Sequence, residues 1–217
     1  MSRPDRARLI DPGYFLFDLG KLIAFPPGLV WFRPRFIYES KRAKKRLRGG
    51  AILMINHTGF TDPIMAQFAV WYRRQHFVAT TELFSSPFRR WLFGVFHCIE
   101  IDRSNFNLGT FRTITAALEG VKVVTIYPEG HINDEKGVAA FKDGIVMMAL
   151  RSGRPVVPLY IRKQEKWYER ATFVIGEPIN LKERYGGLPS MDTVREISEA
   201  LRKKEIELKE LIGEDIR

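Results

Sequence analysis

At 217 residues, with 45% hydrophobic content and one cysteine, the chain has room for one domain with a sizeable core. That composition excludes a disordered polypeptide, an internal disulfide framework and a second catalytic domain. A formal net charge of +10 asks for an anionic partner, and twelve Lys and Arg fall in residues 1–50 against four Asp and Glu. The remainder is near neutral, so the basic surface is local and suits nucleic acid or anionic lipid.

Residues 14–32, YFLFDLGKLIAFPPGLVWF, are apolar and aromatic but carry Asp18, Lys21 and the pair Pro26-Pro27. A spanning helix needs about 20 consecutive apolar residues, and prolines break or kink a helix interior. The expectation is therefore two short apolar arms meeting at a proline turn, not a transmembrane helix. Trp31, Arg33, Arg35 and the run KRAKKRLR at 41–48 follow. Aromatic and basic side chains together favour a bilayer interface, each basic group near anionic lipid adding on the order of 1 kcal/mol. Residues 1–48 thus read as a membrane-associating segment, the alternative being arms packed on a soluble core beside a solvated basic run. No small-residue cleavage pattern follows the apolar run, against a secretory signal peptide.

Gly49-Gly50 marks a turn, after which strand and helix patterns alternate. The spacing predicts a strand at 51–55, a helix at 63–74, a strand at 76–80 and a short amphipathic helix at 87–96. A strand at 97–102, a helix at 106–119 ending at Gly120 and a strand at 122–127 follow. A helix at 139–151, strands at 155–161 and 171–175, and a charged amphipathic helix at 191–212 complete the order. This predicts a single α/β domain over 49–217, a sandwich with a central, mainly parallel or mixed sheet flanked by helices.

In such sheets ligands gather outside the carboxyl ends of the strands. Two polar loops leave such ends: Asn56-His57-Thr58-Gly59-Phe60-Thr61-Asp62 after AILMI, and Tyr127-Pro128-Glu129-Gly130-His131 after an apolar run. On an unbroken helix His57 and Asp62 would lie about 140° apart. They meet only if the loop turns at Gly59 and the helix begins at Asp62-Pro63, with Asp62 as cap and Pro63 first in the helix. Otherwise Asp62 is a cap and His57 a loop residue. A neutral imidazole so paired takes a proton from an attacking hydroxyl, while the carboxylate fixes its tautomer and stabilises the imidazolium. No serine or cysteine nucleophile is needed, and the pair suits direct acyl transfer from a thioester to an alcohol. Cys98, among apolar residues with no adjacent base, reads as a structural thiol. His57, His76, His97 and His131 show no metal-ligand spacing, so no metal is expected. The aromatics Trp91, Phe93 and Phe96 read as core or membrane face.

His57-x-x-x-x-Asp62 resembles the first motif of the glycerolipid acyltransferases, the family of the 1-acylglycerol-3-phosphate (lysophosphatidate) acyltransferases. Three more blocks follow in the family's order. Residues 97–103, HCIEIDR, resemble Gly-x-Ile-Phe-Ile-Asp-Arg; Tyr127-Pro128-Glu129-Gly130 resembles Phe-Pro-Glu-Gly; and Val156-Val157-Pro158-Leu159 resembles the apolar fourth block. Phe141-Lys142-Asp143-Gly144 resembles the Phe-Lys-x-Gly that follows the third. The resemblance implies His57 as general base with Asp62, and acyl transfer to the sn-2 hydroxyl of 1-acylglycerol-3-phosphate in phospholipid biosynthesis. Arg103 and Lys142 would bind the acceptor phosphate, Gly130 would allow close approach, and Glu129 would bind a hydroxyl or orient a neighbour. For Arg103 the alternative is an ion pair with Glu100 or Asp102. Acyl-CoA or acyl carrier protein would donate, with no cofactor. The partners would be a lysophospholipid and an anionic membrane surface, with no nucleic acid expected, at the cytoplasmic face of the membrane as a peripheral or monotopic protein. His97 stands where the family has Gly, Glu100 where it has Phe and His131 where Thr or Ser is usual. Such changes would narrow or re-polarise the acceptor pocket, leaving another lysolipid, or a vestigial membrane-binding protein, as alternatives.

Overall fold

Near-continuous apolar runs form strands buried on both faces, and here they build one sheet. The structure, a computed structural model, describes residues 11–102, 108–133, 137–164, 166, 168–187 and 189–215. Its strands are β1 (Arg35–Tyr38), β2 (Ala51–Ile55), β3 (Gln75–Thr80), β4 (Ile99–Ile101), β5 (Val123–Ile126), β6 (Val156–Ile161) and β7 (Thr172–Ile175). They lie in the order β1-β7-β6-β2-β5-β3-β4. Every neighbouring pair is parallel except the antiparallel β6 and β7, so the sheet is mixed, as expected. The helices are α1 (Phe15–Phe32), α2 (Asp62–Ala69), α3 (Pro87–Val95), α4 (Leu108–Glu119), α5 (Gly144–Ser152), α6 (Leu181–Tyr185) and α7 (Met191–Asp215).

Side chains alternate across a strand, and β2 shows how that divides the core. Ile52 and Met54 pack with α4, α5 and α7, whereas Ala51, Leu53 and Ile55 pack with α2 and with Phe25 and Phe32 of α1. Because β2 lies between the parallel strands β5 and β6, their carboxyl ends share one edge of the sheet. The loops after Ile55 and Ile126 are therefore neighbours.

Three expectations need correction. The apolar arms form one helix, α1, with Pro26 and Pro27 inside it. Those prolines lack the N–H groups that would bond the Leu22 and Ile23 carbonyls one turn earlier, and both of these residues are on the exposed side of α1. By length and composition this helix is apolar enough to cross a membrane, yet one face of it packs on the domain. Gly28 permits that approach, since a Cβ there would lie 2.6 Å from Phe68 Cζ. Secondly, residues 35–38 of the leading segment are the edge strand β1, paired with β7. Thirdly, the helix expected from 139 begins at Gly144, because residues 139–143 fold against the loop after β5 instead.

Polar contacts fix the start of α1. Arg74 pairs with Asp18, Nε to Oδ1 at 2.9 Å, and its guanidinium lies 4.7 Å from the Tyr14 ring centroid. Burial pushes His76 down to about 4, leaving a neutral ring at pH 7. Its Nδ1–H can donate to the His97 carbonyl at 3.1 Å while Nε2 accepts from the Tyr14 hydroxyl at 3.2 Å. The exposed basic run 41–48 borders α1 through Trp71, whose carbonyl accepts from Lys21 and whose ring lies 5.5 Å from the Arg46 guanidinium. It leads into the start of β2, so it lies at the end of the sheet opposite His57.

Glu205, in the helix that reads from sequence as amphipathic and charged, is fully buried. Neither carboxyl oxygen has a hydrogen-bond partner among the described residues. Burial, then the nearby Glu129 carboxylate, hold its pKa well above the usual carboxylate range, against a smaller pull from the Asn56 backbone. A raised folded pKa costs stability as pH climbs from the unfolded value, about 4.3, toward the folded one. Glu205→Gln is accordingly expected to match wild type near pH 4 and exceed it by on the order of 1 kcal/mol at pH 8. Urea unfolding at the two pH values measures this; a gap that fails to widen with pH contradicts it.

Candidate active site

His57 sits two residues beyond β2, on a loop that turns at Gly59 and enters α2 at Asp62. The helix starts one residue earlier than expected, with Thr61 as N-cap, Asp62 first and Pro63 second. Asp62 therefore does not cap; its carboxylate folds back over the loop. Oδ2 accepts from His57 Nδ1 at 2.8 Å, from Thr58 N–H at 2.5 Å and from Gly59 N–H at 2.9 Å. Oδ1 accepts from the Thr58 hydroxyl at 2.8 Å. With the carboxylate wholly buried and surrounded by donors, the imidazole must present Nδ1–H to it. Nε2 is then the unprotonated nitrogen. His57 itself keeps 18% of its side chain accessible, so that nitrogen can meet a substrate.

The second loop braces the first. Glu129 is 2% exposed, and both oxygens are engaged by protein donors. Oε1 accepts from His57 N–H at 3.2 Å, and Oε2 accepts from Asn133 Nδ2 at 2.8 Å and Ala139 N–H at 3.0 Å. Asn133 N–H in turn donates to the His57 carbonyl at 2.8 Å. Of the two roles read from sequence, these bonds favour orienting neighbours over contacting a substrate hydroxyl. Tyr127 stacks on the His57 imidazole, centroids 4.3 Å apart at 22°, and holds the ring plane. Its hydroxyl is buried without a hydrogen-bond partner among the described residues, and burial keeps it a phenol far above its ordinary pKa.

Gly130 has φ +74°, and a Cβ there would come within 2.9 Å of Lys142 Cε. The positive φ favours a glycine, and any larger residue would also displace the flexible lysine stem lying across it. Lys142 is anchored by its N–H to the Pro128 carbonyl at 2.9 Å, which brings an exposed ammonium beside the dyad. Arg103 lies outside the described residues.

Behind these residues opens a cavity of about 680 Å³, a size typical of small-molecule sites. His57, Tyr127, Gly130 and Lys142 line one part of it, and mostly apolar side chains of α1, α2, α3, α5 and β3 line much of the rest, with Lys21 and Gln67 among them. Cys98 is on its wall, its thiol pushed up to about 12 by burial, as suits an unreactive packing residue. None of the three family departures lines this cavity. His97 has φ +51°, which explains why a glycine suits the position, and its ring turns outward to meet Gly13 and Tyr14, just before α1. Glu100 faces Arg90 at 3.4 Å, and the exposed His131 bonds the Glu129 carbonyl at 2.9 Å.

The "Acyltransferase" family model matches residues 35–162, more than half of the sequence. The chain belongs to the acyltransferase family. Two 1-acyl-sn-glycerol-3-phosphate acyltransferases, from Limnanthes alba and Limnanthes douglasii, are each 30% identical to it over 193 residues. These alignments cover 83% of this chain and 64% of the relatives, so the chain spans somewhat under two thirds of their length. The crystal structure of the 1-acyl-sn-glycerophosphate (LPA) acyltransferase PlsC from Thermotoga maritima shares the fold, with TM-score 0.62 and 20% identity. That likeness covers 90% of this chain and 79% of the other. In this member of the family, sequence reasoning missed three supports of the dyad: Thr58, Asn133 and the Tyr127 stack. It also missed Asn56, which ties the ends of β2 and β6 by accepting from Ile161 N–H at 2.7 Å and donating to the Ile161 carbonyl at 2.9 Å. Asn56 and Thr58 had a signal, being polar on both sides of His57; Asn133 had none.

Proposed function

We propose that the protein moves a fatty acyl group from an acyl thioester, acyl-CoA or acyl carrier protein, to the sn-2 hydroxyl of 1-acylglycerol-3-phosphate. The observation that carries this reading is the His57–Asp62 pair at an apolar cavity that also displays Gly130 and Lys142. His57 Nε2 takes the proton of the acceptor hydroxyl as its oxygen attacks the thioester carbonyl. The tetrahedral intermediate expels the thiolate, and the imidazolium returns the proton to sulfur. Asp62 stabilises the imidazolium between the two transfers. The acyl chain lies in the apolar cavity, and Lys142, with Arg103, attracts the acceptor phosphate. Transfer of labelled acyl groups from each donor to lysophosphatidate in liposomes tests this; folded protein that makes no phosphatidate from either donor overturns it.

The exposed face of α1 supports membrane association, peripheral or monotopic; we propose the cytoplasmic side as part of the same reading. Leu22 and Ile23 are 70% and 66% exposed, and Phe60, three residues from His57, projects still further. An apolar face of this kind at the level of the lipid headgroups lets a lysolipid reach the dyad without leaving the bilayer. The double substitution Leu22→Glu, Ile23→Glu is expected to weaken liposome binding by about ten-fold or more with little change in melting temperature, since neither side chain is buried. Undiminished flotation with liposomes would remove α1 from the membrane contact.

A further inference from the structure

Helix α3 is a surface helix with no buried residue. One broad apolar face runs along it: Leu92 and Phe93 line the substrate cavity and continue into Phe96, while Trp91 and Phe88, the latter one turn before Leu92, are 58% and 67% exposed, with ring centroids 6.0 Å apart. The exposed Arg89 supplies positive charge beside them, whereas Arg90 pairs with Glu100. A helix in water turns its apolar face to the core; an apolar face that continues outward beside a cation fits a lipid surface.

Its position relative to α1 gives this face its context. His97, two residues beyond α3, reaches the Gly13 carbonyl with Nε2 at 3.0 Å, and its ring lies 4.0 Å from that of Tyr14. Phe96 meets Phe17 of α1 edge to face at 5.9 Å. The end of α3 and the start of α1 are thus clasped together. A cleft of about 400 Å³ separates Gly13 and Leu16 from Trp91, Gly94 and Val95, so the exposed apolar surface runs from one helix to the other.

Building on the membrane reading of α1, we propose that α3 is a second membrane-embedded element, its Phe88 and Trp91 seated in the acyl boundary of an anionic bilayer and Arg89 at the phosphates. Because the adjoining Leu92 and Phe93 are cavity wall, this sets the acyl cavity against the bilayer. Lipid is favoured over a protein partner because the face is continuous with the apolar side of α1 and carries in Arg89 a cation that complements anionic headgroups.

An environment-sensitive fluorophore tests the proposal when placed, in a Cys98→Ala background of the full chain, at Ile23→Cys, Phe88→Cys or Arg112→Cys, the last on α4 across the sheet. With phosphatidylglycerol-containing vesicles, the probes at 23 and 88 are expected to shift to the blue and to be quenched by lipid-borne nitroxides, while that at 112 stays aqueous. Phe88→Ser with Trp91→Ser is expected to lower vesicle partitioning about ten-fold at an unchanged melting temperature. A probe at 88 that stays aqueous while 23 inserts overturns the role of α3 and leaves that of α1 intact. Silence at both sites removes the membrane reading itself, and with it this one. A response at 88 to acyl carrier protein without lipid, and none to vesicles, assigns the face to a protein and overturns the proposal.

Discussion

His57→Ala is expected to lower kcat for acyl transfer by about 10³-fold while leaving a folded protein with nearly unchanged donor affinity. The loop around His57 is held by groups that the substitution keeps: the His57 N–H on Glu129, the His57 carbonyl on Asn133 N–H, and the Asp62 contacts with Thr58 and Gly59. What disappears is Nε2, the proposed proton acceptor. Without it the hydroxyl must lose its proton to water in a space walled largely by apolar side chains. The measurement is single-turnover and steady-state transfer of labelled acyl groups to lysophosphatidate, alongside a melting curve. Retention of more than a tenth of wild-type kcat would exclude His57 as the base. An equal loss of turnover and of folded protein would instead make it a structural residue.

The leading segment with α1 and the sheet edge that carries His57 differ in how much their sequences disclose. The strand AILMI could be assigned because both faces of β2 are buried, and the expected sharing of an edge by the two polar loops followed from the carboxyl-end rule for such sheets. The Asn56–Asp62 loop was legible because Gly59 and Pro63 punctuate it. Elsewhere local rules were outweighed by packing. Pro26-Pro27 signals a break, yet α1 continues through it because Phe25 and Phe32, on either side of the pair, both pack on Phe68. The short edge strand β1, four residues beginning at Arg35 and lying between α1 and the basic run 41–48, lacks periodicity of its own and exists by pairing with β7. Glu205 falls in a helix rich in charge, yet it stands four residues after Leu201 and three before Leu208, on the buried stripe, so its spacing carried a signal that its charge concealed. Asn133, four residues past Glu129, acquires its role only when residues 137–142 fold back onto the site. The extended, strongly apolar strands and the punctuated turn are properties of neighbouring residues; the braces of the dyad depend on contacts between distant ones.

Asp62→Asn should be nearly as damaging as loss of the imidazole, with a fall in kcat of about 10³-fold, although it removes no proton acceptor from the proposed reaction path. The carboxylate accepts from four donors and presents none of its own. An amide in its place has one oxygen and a pair of N–H donors, so one side must point hydrogens at hydrogens. If the amide nitrogen replaces Oδ2, it faces His57 Nδ1 and two backbone N–H groups, and the imidazole can relieve that clash only by moving its proton to Nε2. The base is then protonated at the nitrogen that should act. If instead the amide oxygen stays at Oδ2, the nitrogen confronts the Thr58 hydroxyl, which can rotate to accept one N–H, leaving the second amide N–H without an acceptor among these contacts. Either orientation also leaves a buried polar group imperfectly satisfied, at a cost of about 1–3 kcal/mol. Two readouts separate these effects. Urea unfolding reports the stability loss, and transfer assayed well below the melting transition reports the tautomer. An Asp62→Asn protein that is destabilised but turns over within ten-fold of wild type would show that Asp62 serves the loop and not the chemistry.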